Sequence, residues 1–212
     1  MGCVLVVDGR TAREVRARIV EVEAYLGLDD PASHAARGPT PRAAIMFGEP
    51  AHLYVYLSYG LHHCANLVTE PAGRPGAVLL RAAAVEMGEE TVRGRRAAAV
   101  QRRRPPVADS RPLARPLPAA ALLRGPGNLC SGLGLTLADN GLDVESPGSR
   151  LQVVLEATAP PLAVGPRVGI SLATGAPLRF CWAGHEAVSS PAVGTGAREH
   201  RRQASAPGQK GP

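Results

Sequence analysis

Aromatic residues are scarce in this chain of 212 residues, where four tyrosines, two phenylalanines and one tryptophan make up 3%. All four tyrosines lie between Tyr25 and Tyr59, and Phe47 lies among them. Phe180 and Trp182 are paired near the C-terminus. Because hydrophobic residues still make up 45% of the chain, the core must be largely aliphatic. The tyrosine-rich segment can therefore belong either to the core or to a functional site.

Long apolar runs are also missing, and none approaches the ~20 residues that a membrane-spanning helix needs. The apolar start, residues 1–7, is too short for a signal peptide, has no basic region and runs into Asp8 and Arg10. These absences predict a cytoplasmic protein with no membrane partner.

Cysteines are few and widely separated, with no CxxC pair: Cys3, Cys64, Cys130 and Cys181. This spacing predicts reduced, mostly buried thiols rather than a disulfide framework. His62 and Cys64 lie on one face of a predicted strand, where they could share a metal ion. Further ligands at convincing spacing are absent from the sequence, so we expect no metal.

Lysine is almost absent, since Lys210 is the only one, and arginine supplies the remaining basic charge. The formal net charge is +6 and the isoelectric point is about 9.7. A basic surface favours polyanionic partners because phosphate contacts release counterions. Charge alone leaves open whether the partner is a nucleic acid.

Apolar and β-branched runs predict a strand-rich chain. The predicted strands are 3–7, 16–25, 53–57, 62–69, 77–81, 151–157, 167–171 and 178–182, with helices over 89–101 and near 129–137. Because strands and helices do not alternate, the order predicts an α+β fold with a largely antiparallel sheet. We expect one domain over 1–190, with an arginine- and proline-rich loop near 102–120 and a disordered basic tail over 191–212.

Six short stretches from this domain follow one another in a telling order. They are RIVEVEAYLG (18–27), DPASH (30–34), TPR (40–42), MFG (46–48), LYVYLSYG (53–60) and VLLRA (78–82). Together they resemble the alkyladenine (3-methyladenine) DNA glycosylase family, monofunctional enzymes of base-excision repair. The resemblance covers roughly residues 2–190 and is densest over 18–81. It implies a curved sheet with flanking helices and a protruding β-hairpin, and a monomer that needs no metal or cofactor.

The resemblance implies three catalytic positions. Glu23 matches the glutamate that activates a water to attack the sugar C1′ of a flipped nucleotide. A positioned carboxylate can act as a general base and can stabilise an oxocarbenium-like sugar. Arg81 matches the arginine that helps to hold this water, and the backbone carbonyl of Val168 matches a further acceptor for it. Without the motif, Glu23 would be read as a surface glutamate.

The resemblance also implies a pocket for the extruded base. Tyr25, His34 and Tyr56 match the residues that sandwich it, and aromatic faces attract an electron-poor or cationic purine. Tyr59 matches a wedge that fills the space left in the duplex. Asn66 matches a residue that crowds the exocyclic amine of guanine. Each could instead have a plain structural role, in the core, at a turn or in solvent.

The implied activity is hydrolysis of the N-glycosidic bond of alkylated or deaminated purines in double-stranded DNA. These include 3-methyladenine, 7-methylguanine and hypoxanthine. Three positions depart from the family pattern: Pro39 and Ala43 flank the TPR motif, and Asn128 stands where a lysine is usual. They leave open an alternative, a catalytically weak or inactive arginine-rich DNA-binding protein of the same fold.

Overall fold

The computed structural model describes residues 1–103, 116–156 and 160–189. In these ranges it contains the strands β1 (Val4–Val7), β2 (Val15–Tyr25), β3 (Leu53–Ser58), β4 (His62–Val68), β5 (Ala77–Met87), β6 (Leu151–Val154), β7 (Leu162–Gly165) and β8 (Arg179–Trp182). The α-helices are α1 (Glu89–Arg103) and α2 (Pro126–Leu133). Most of the predicted loop over 102–120, and all of the predicted tail over 191–212, lie outside the described residues.

The strands form one curled antiparallel sheet in the order β3-β4-β5-β2-β1-β6. Strand β2 is central because β5 pairs along one of its edges, while β1 and then β8 pair along the other. Strand β7 extends the sheet from β8. A β-bulge in β2 between Ile19 and Glu21 shifts its register against β5. This architecture confirms the predicted α+β fold with an antiparallel sheet.

An aliphatic core lies between the sheet and the two helices, as the composition predicts. Leu5, Val15 and Leu80 of the sheet belong to the same buried cluster as Leu129 and Leu133 of α2. A smaller cluster is built around Tyr54 and Met46. The helices therefore pack against one face of the sheet, and the smaller cluster packs beneath the tyrosine-rich segment.

The prediction of a strand over 167–171 is wrong. These residues form an irregular segment, and the strand β7 instead precedes them. Pro166 cannot donate a backbone hydrogen bond to a sheet, and Gly169 has a φ of +76°, which a strand does not allow.

The helix predicted near 129–137 is displaced toward the N-terminus. Pro126 occupies the first turn of α2, and Gly134 ends the helix in the left-handed conformation. Strand β5 also continues past the predicted end at residue 81 to Met87. These differences leave the strands β2, β3 and β4 within one residue of their predicted bounds.

Candidate active site

A cavity of about 780 Å³ opens between the β3–β4 hairpin, the loop after β2 and the segment 168–172. Its wall includes seven of the eight residues that the resemblance selects: Tyr25, His34, Tyr56, Tyr59, Asn66, Arg81 and Val168. The fold therefore brings together residues that are distant in sequence. The eighth, Glu23, lies directly behind this wall.

Glu23 is completely buried on β2 and is held by three donors that line the cavity. The Val168 amide donates to Oε1 at 2.7 Å, and Arg81 Nη1 lies 3.2 Å from the same oxygen. The Tyr25 hydroxyl donates to Oε2 at 3.1 Å. A carboxylate held in this way has a fixed orientation next to the cavity, which suits a general base or an electrostatic stabiliser of positive charge.

Arg81 bridges Glu23 to a second buried carboxylate, that of Glu21. Arg81 Nε donates to Glu21 Oε1 at 2.7 Å, and Arg179 Nε donates to the same oxygen at 2.8 Å. The Ser189 amide donates to Glu21 Oε2 at 2.6 Å, and the Ser189 hydroxyl donates to Oε1 at 2.8 Å. Two carboxylates and two guanidinium groups thus form one buried network, hereafter the Glu21 network.

Opposite charges in the Glu21 network favour the ionised forms of the Glu21 carboxyl and the Arg81 guanidinium despite their burial. Burial alone would raise the pKa of the Glu21 carboxyl, but the Ser189 amide and the Arg81 guanidinium outweigh it and lower that pKa. Burial likewise opposes the charge of Arg81, yet Glu23 and Glu21 raise its pKa. The sequence analysis selected Glu23 and Arg81 but missed Arg179 and Ser189, which are 158 and 168 residues away from Glu21.

The aromatic wall is formed by His34, Tyr54 and Tyr56. The His34 and Tyr56 rings meet edge to face with centroids 4.7 Å apart, and Tyr54 and Tyr56 are tilted at 5.4 Å. Burial, and then the positive charge of Arg42, lower the pKa of His34, so its imidazole is neutral near pH 7. A neutral imidazole can accept the Tyr54 hydroxyl at its Nδ1, 2.9 Å away. Tyr54, which had no predicted role, therefore orients His34.

Tyr25 faces the aromatic wall from β2 and is backed by Arg167. The Arg167 guanidinium carbon lies 4.6 Å from the Tyr25 ring centroid, and Nη2 donates to Asp30 Oδ1 at 2.8 Å. Nη1 also donates to the Ala24 carbonyl at 3.0 Å. Burial and the nearby Glu23 charge raise the pKa of the Tyr25 hydroxyl, which therefore stays protonated and can donate. Sequence reasoning missed Arg167.

Asn66 is buried on β4 at the floor of the cavity. Its Nδ2 donates to the Tyr54 carbonyl across the β3–β4 pair at 3.2 Å. This bond fixes the amide, so a base in the cavity would meet a rigid polar group at this point.

Tyr59 occupies the tip of the β3–β4 hairpin, where 87% of its surface is exposed. Tyr59 and Gly60 have φ angles of +49° and +68°, and the Leu61 amide donates to the Ser58 carbonyl at 3.0 Å. Two positive φ angles define a type I′ turn, which joins strands with two residues. Gly60 suits this conformation, whereas a tyrosine rarely adopts it. The turn projects an aromatic ring beside the mouth of the cavity.

Three further observations concern metal ligands, cysteines and membrane spans. The described ranges contain no group of three or more His, Cys, Asp or Glu side chains arranged to hold a metal ion. All four cysteines are free thiols, with Cys64, Cys130 and Cys181 buried as predicted. Among the described helices, none has the length and apolar character to cross a bilayer.

The chain is similar to known proteins over most of its length. Residues 1–186 match the family model for methylpurine-DNA glycosylase. The chain belongs to this family. A relative from Cutibacterium acnes, provisionally named 3-methyladenine DNA glycosylase, is 48% identical over 184 residues, covering 84% of this chain and 86% of its own. Relatives of the same provisional name from a Mycobacterium species (strain KMS) and Mycobacterium tuberculosis H37Rv are each 44% identical. They match over 85% and 84% of this chain and over 82% and 81% of their own lengths.

Membership of the methylpurine-DNA glycosylase family makes the protein a DNA glycosylase of base-excision repair, with DNA as its substrate. The three positions that depart from the pattern expected of the family are Pro39, Ala43 and Asn128. Asn128 donates from Nδ2 to the Arg124 carbonyl at 2.7 Å in the first turn of α2. Pro39 is exposed and Ala43 is buried. None of the three lines the cavity.

Proposed function

We propose that this glycosylase flips alkylated or deaminated purines out of duplex DNA and hydrolyses their N-glycosidic bond with a water activated by Glu23. The product is an abasic site. The observation that carries the proposal is the fixed Glu23 carboxylate, held by Arg81, Val168 and Tyr25 against a cavity with aromatic walls. A bond that breaks with positive charge developing on the sugar is favoured by a carboxylate in this position.

The cavity and the hairpin tip support the binding part of the proposal. A volume of about 780 Å³ accommodates a purine nucleotide, and the rings of Tyr25, Tyr56 and His34 line it. Extruding a base from the stack requires a few kcal/mol, and an exposed ring such as Tyr59 offsets part of that by filling the gap. One chain supplies every residue of this arrangement, so we propose that a monomer is sufficient.

We propose further that the enzyme is monofunctional. A lyase step requires an amine that forms a Schiff base with the sugar. Lys210 is the only lysine of the chain and is remote in sequence from every residue of the cavity. The abasic site should therefore accumulate uncut.

The first prediction tests Glu23 with a duplex that contains one hypoxanthine, followed by alkali to cleave abasic sites. Glu23→Gln should lower the single-turnover rate by about 10²–10⁴-fold, because the isosteric amide keeps the shape but cannot take a proton. Glu70→Gln, a change at a half-buried carboxylate that does not line the cavity, is the matched control and should match wild type. Wild-type protein that binds duplex in a salt-sensitive manner but releases no base, over several lesions, would establish the non-catalytic alternative.

A further inference from the structure

Both tyrosine platforms of the cavity already carry a guanidinium group. The Arg42 guanidinium carbon lies 4.7 Å from the Tyr56 ring centroid, and that of Arg167 lies 4.6 Å from the Tyr25 centroid. Arg42 lines the cavity, whereas Arg167 is buried behind it and paired with Asp30. The negative faces of both rings, which would attract a cationic base, are thus partly used by cations of the protein.

The charges along the cavity wall have one sign. The charged residues that line it, within the described part of the chain, are Arg37, Arg42 and Arg81. Arg81 is neutralised by Glu21 and Glu23, while no described carboxylate lies within ion-pair distance of Arg42. Arg42 also acts on the other side chains of the aromatic wall. Burial is the largest cause of the lowered pKa of His34, and Arg42 is the second; at Tyr54, burial raises the pKa of the hydroxyl and Arg42 opposes that rise.

Purine lesions differ in charge in a way that this wall can distinguish. A purine alkylated at N3 or N7 of its nucleotide carries a delocalised positive charge, whereas a deaminated purine is neutral. A cationic base against Tyr56 would meet the like charge of Arg42, and like charges in close contact repel. A neutral base would stack there and gain the same dispersion and π contacts without that repulsion.

We propose that Arg42 is a specificity-determining residue that biases the cavity toward neutral purine lesions and against cationic ones, a proposal that rests on the proposed function. It reverses the expectation from the sequence that aromatic faces alone would favour cationic bases. Arg42 is exposed, so solvent screens its charge and the bias is moderate, about three- to tenfold in relative rate.

The test compares two duplexes that differ only in one base, hypoxanthine or 7-methylguanine, and scores abasic sites with an endonuclease specific for them. The measured quantity is the ratio of kcat/KM for the two lesions. Arg42→Gln should raise the relative rate on 7-methylguanine by about three- to tenfold, and Arg42→Lys, which keeps the charge, should stay closer to wild type. Arg37→Gln is the matched control, because Arg37 is an exposed arginine of the same wall, whereas the described guanidinium groups over Tyr25 and Tyr56 are those of Arg167 and Arg42.

The outcomes separate the alternatives. An Arg42→Gln variant that loses rate equally on both lesions would show that Arg42 binds DNA phosphate and would overturn the proposal. The same shift in ratio from Arg37→Gln would also overturn it, because the effect would then belong to the overall charge. Wild-type protein that releases neither base refutes the proposed function itself and is recognised by the absence of any product.

Discussion

The Glu21 network and the hairpin tip belong to the same candidate site but differ sharply in burial. In the network, every carboxylate and guanidinium is buried and satisfied by partners from β2, β5, β8 and the segment after β8. At the tip, Tyr59 is 87% exposed and is held only by a two-residue turn. Many contacts hold each side chain of the Glu21 network, whereas Tyr59 at the tip has a backbone conformation that tyrosine disfavours.

The difference agrees with the roles proposed for the two regions. A group that must act on a bond needs fixed geometry, and the network gives Arg81 and Glu23 few alternatives. A group that must enter another molecule has to remain exposed, so it cannot be stabilised by the core. The free energy of unfolding should therefore fall when the Glu21 network is broken, and it should stay the same or rise slightly when Tyr59 is replaced.

The largest effect is expected from Glu21→Gln. This change removes the charge that faces both Arg81 and Arg179, and breaking a buried ion pair lowers the free energy of unfolding by about 3–5 kcal/mol. Urea denaturation measures it. The control is Glu70→Gln, whose exposed partner Arg74 lies 3.9 Å away, and it should stay within about 0.5 kcal/mol of wild type. Equal losses of unfolding free energy in Glu21→Gln and Glu70→Gln would show that the buried charge of Glu21 contributes no more than the charge of Glu70.

An intermediate effect is expected from Asp30, which holds Arg167 behind Tyr25. Burial alone would raise the pKa of Asp30, but hydrogen bonds from Arg167, Leu26 and Ala32 outweigh it and keep this pKa below its ordinary value. The stabilisation is therefore fully present above about pH 4 and is lost as the pH falls through the depressed pKa.

Asp30→Asn should accordingly be less stable than wild type at pH 7 by about 2–3 kcal/mol, the usual contribution of charge-assisted hydrogen bonds. This gap should close in the acid range, below pH 4. Unfolding free energies at a series of pH values test it, with the exposed neighbour Asp29 changed to Asn as control. A gap that is constant down to pH 2 would show that the ion pair does not carry it.

The smallest effect on stability, with the opposite sign, is expected at the tip. Tyr59 has a φ of +49°, and asparagine tolerates this conformation better than tyrosine. Tyr59→Asn should raise the free energy of unfolding by about 0.5–1 kcal/mol while slowing base excision by about tenfold. Tyr59→Phe keeps the ring and should retain excision. Stability and excision that fall together in Tyr59→Asn would contradict a division of labour between the two regions.

Local signals in the sequence were enough to predict most of the sheet and the position of the hairpin. The β3–β4 turn at Tyr59 and Gly60 follows from a β-rich run interrupted by a turn residue, and the structure has it there. The segment 167–171 was misassigned because its apolar residues imitate a strand, whereas Pro166 and Gly169 prevent sheet pairing. The strand β7 was missed because prolines at positions 160, 161 and 166 flank its four residues, Leu162–Gly165, and such flanks are typical of a loop.

The family resemblance selected the residues that line the cavity, but not those that hold them. The partners of Glu21 are Arg179 and Ser189, and nothing near either residue in sequence marks it as a partner. The same is true of Arg167, whose contacts with Tyr25 and Asp30 span more than a hundred residues. Such pairings are set by tertiary packing, which a pattern of neighbouring residues does not encode.

The position of Ser189 late in the chain affects when the Glu21 network can form during synthesis. Its amide and hydroxyl complete the shell of Glu21 from a position 168 residues further along the chain. During synthesis the chain emerges from its N-terminus, so β2, with Glu21 and Glu23, leaves the ribosome long before the segment that secures it. Arg81 cannot be fully anchored until residue 189 has emerged, and the Glu21 network is therefore completed long after β2 has left the ribosome.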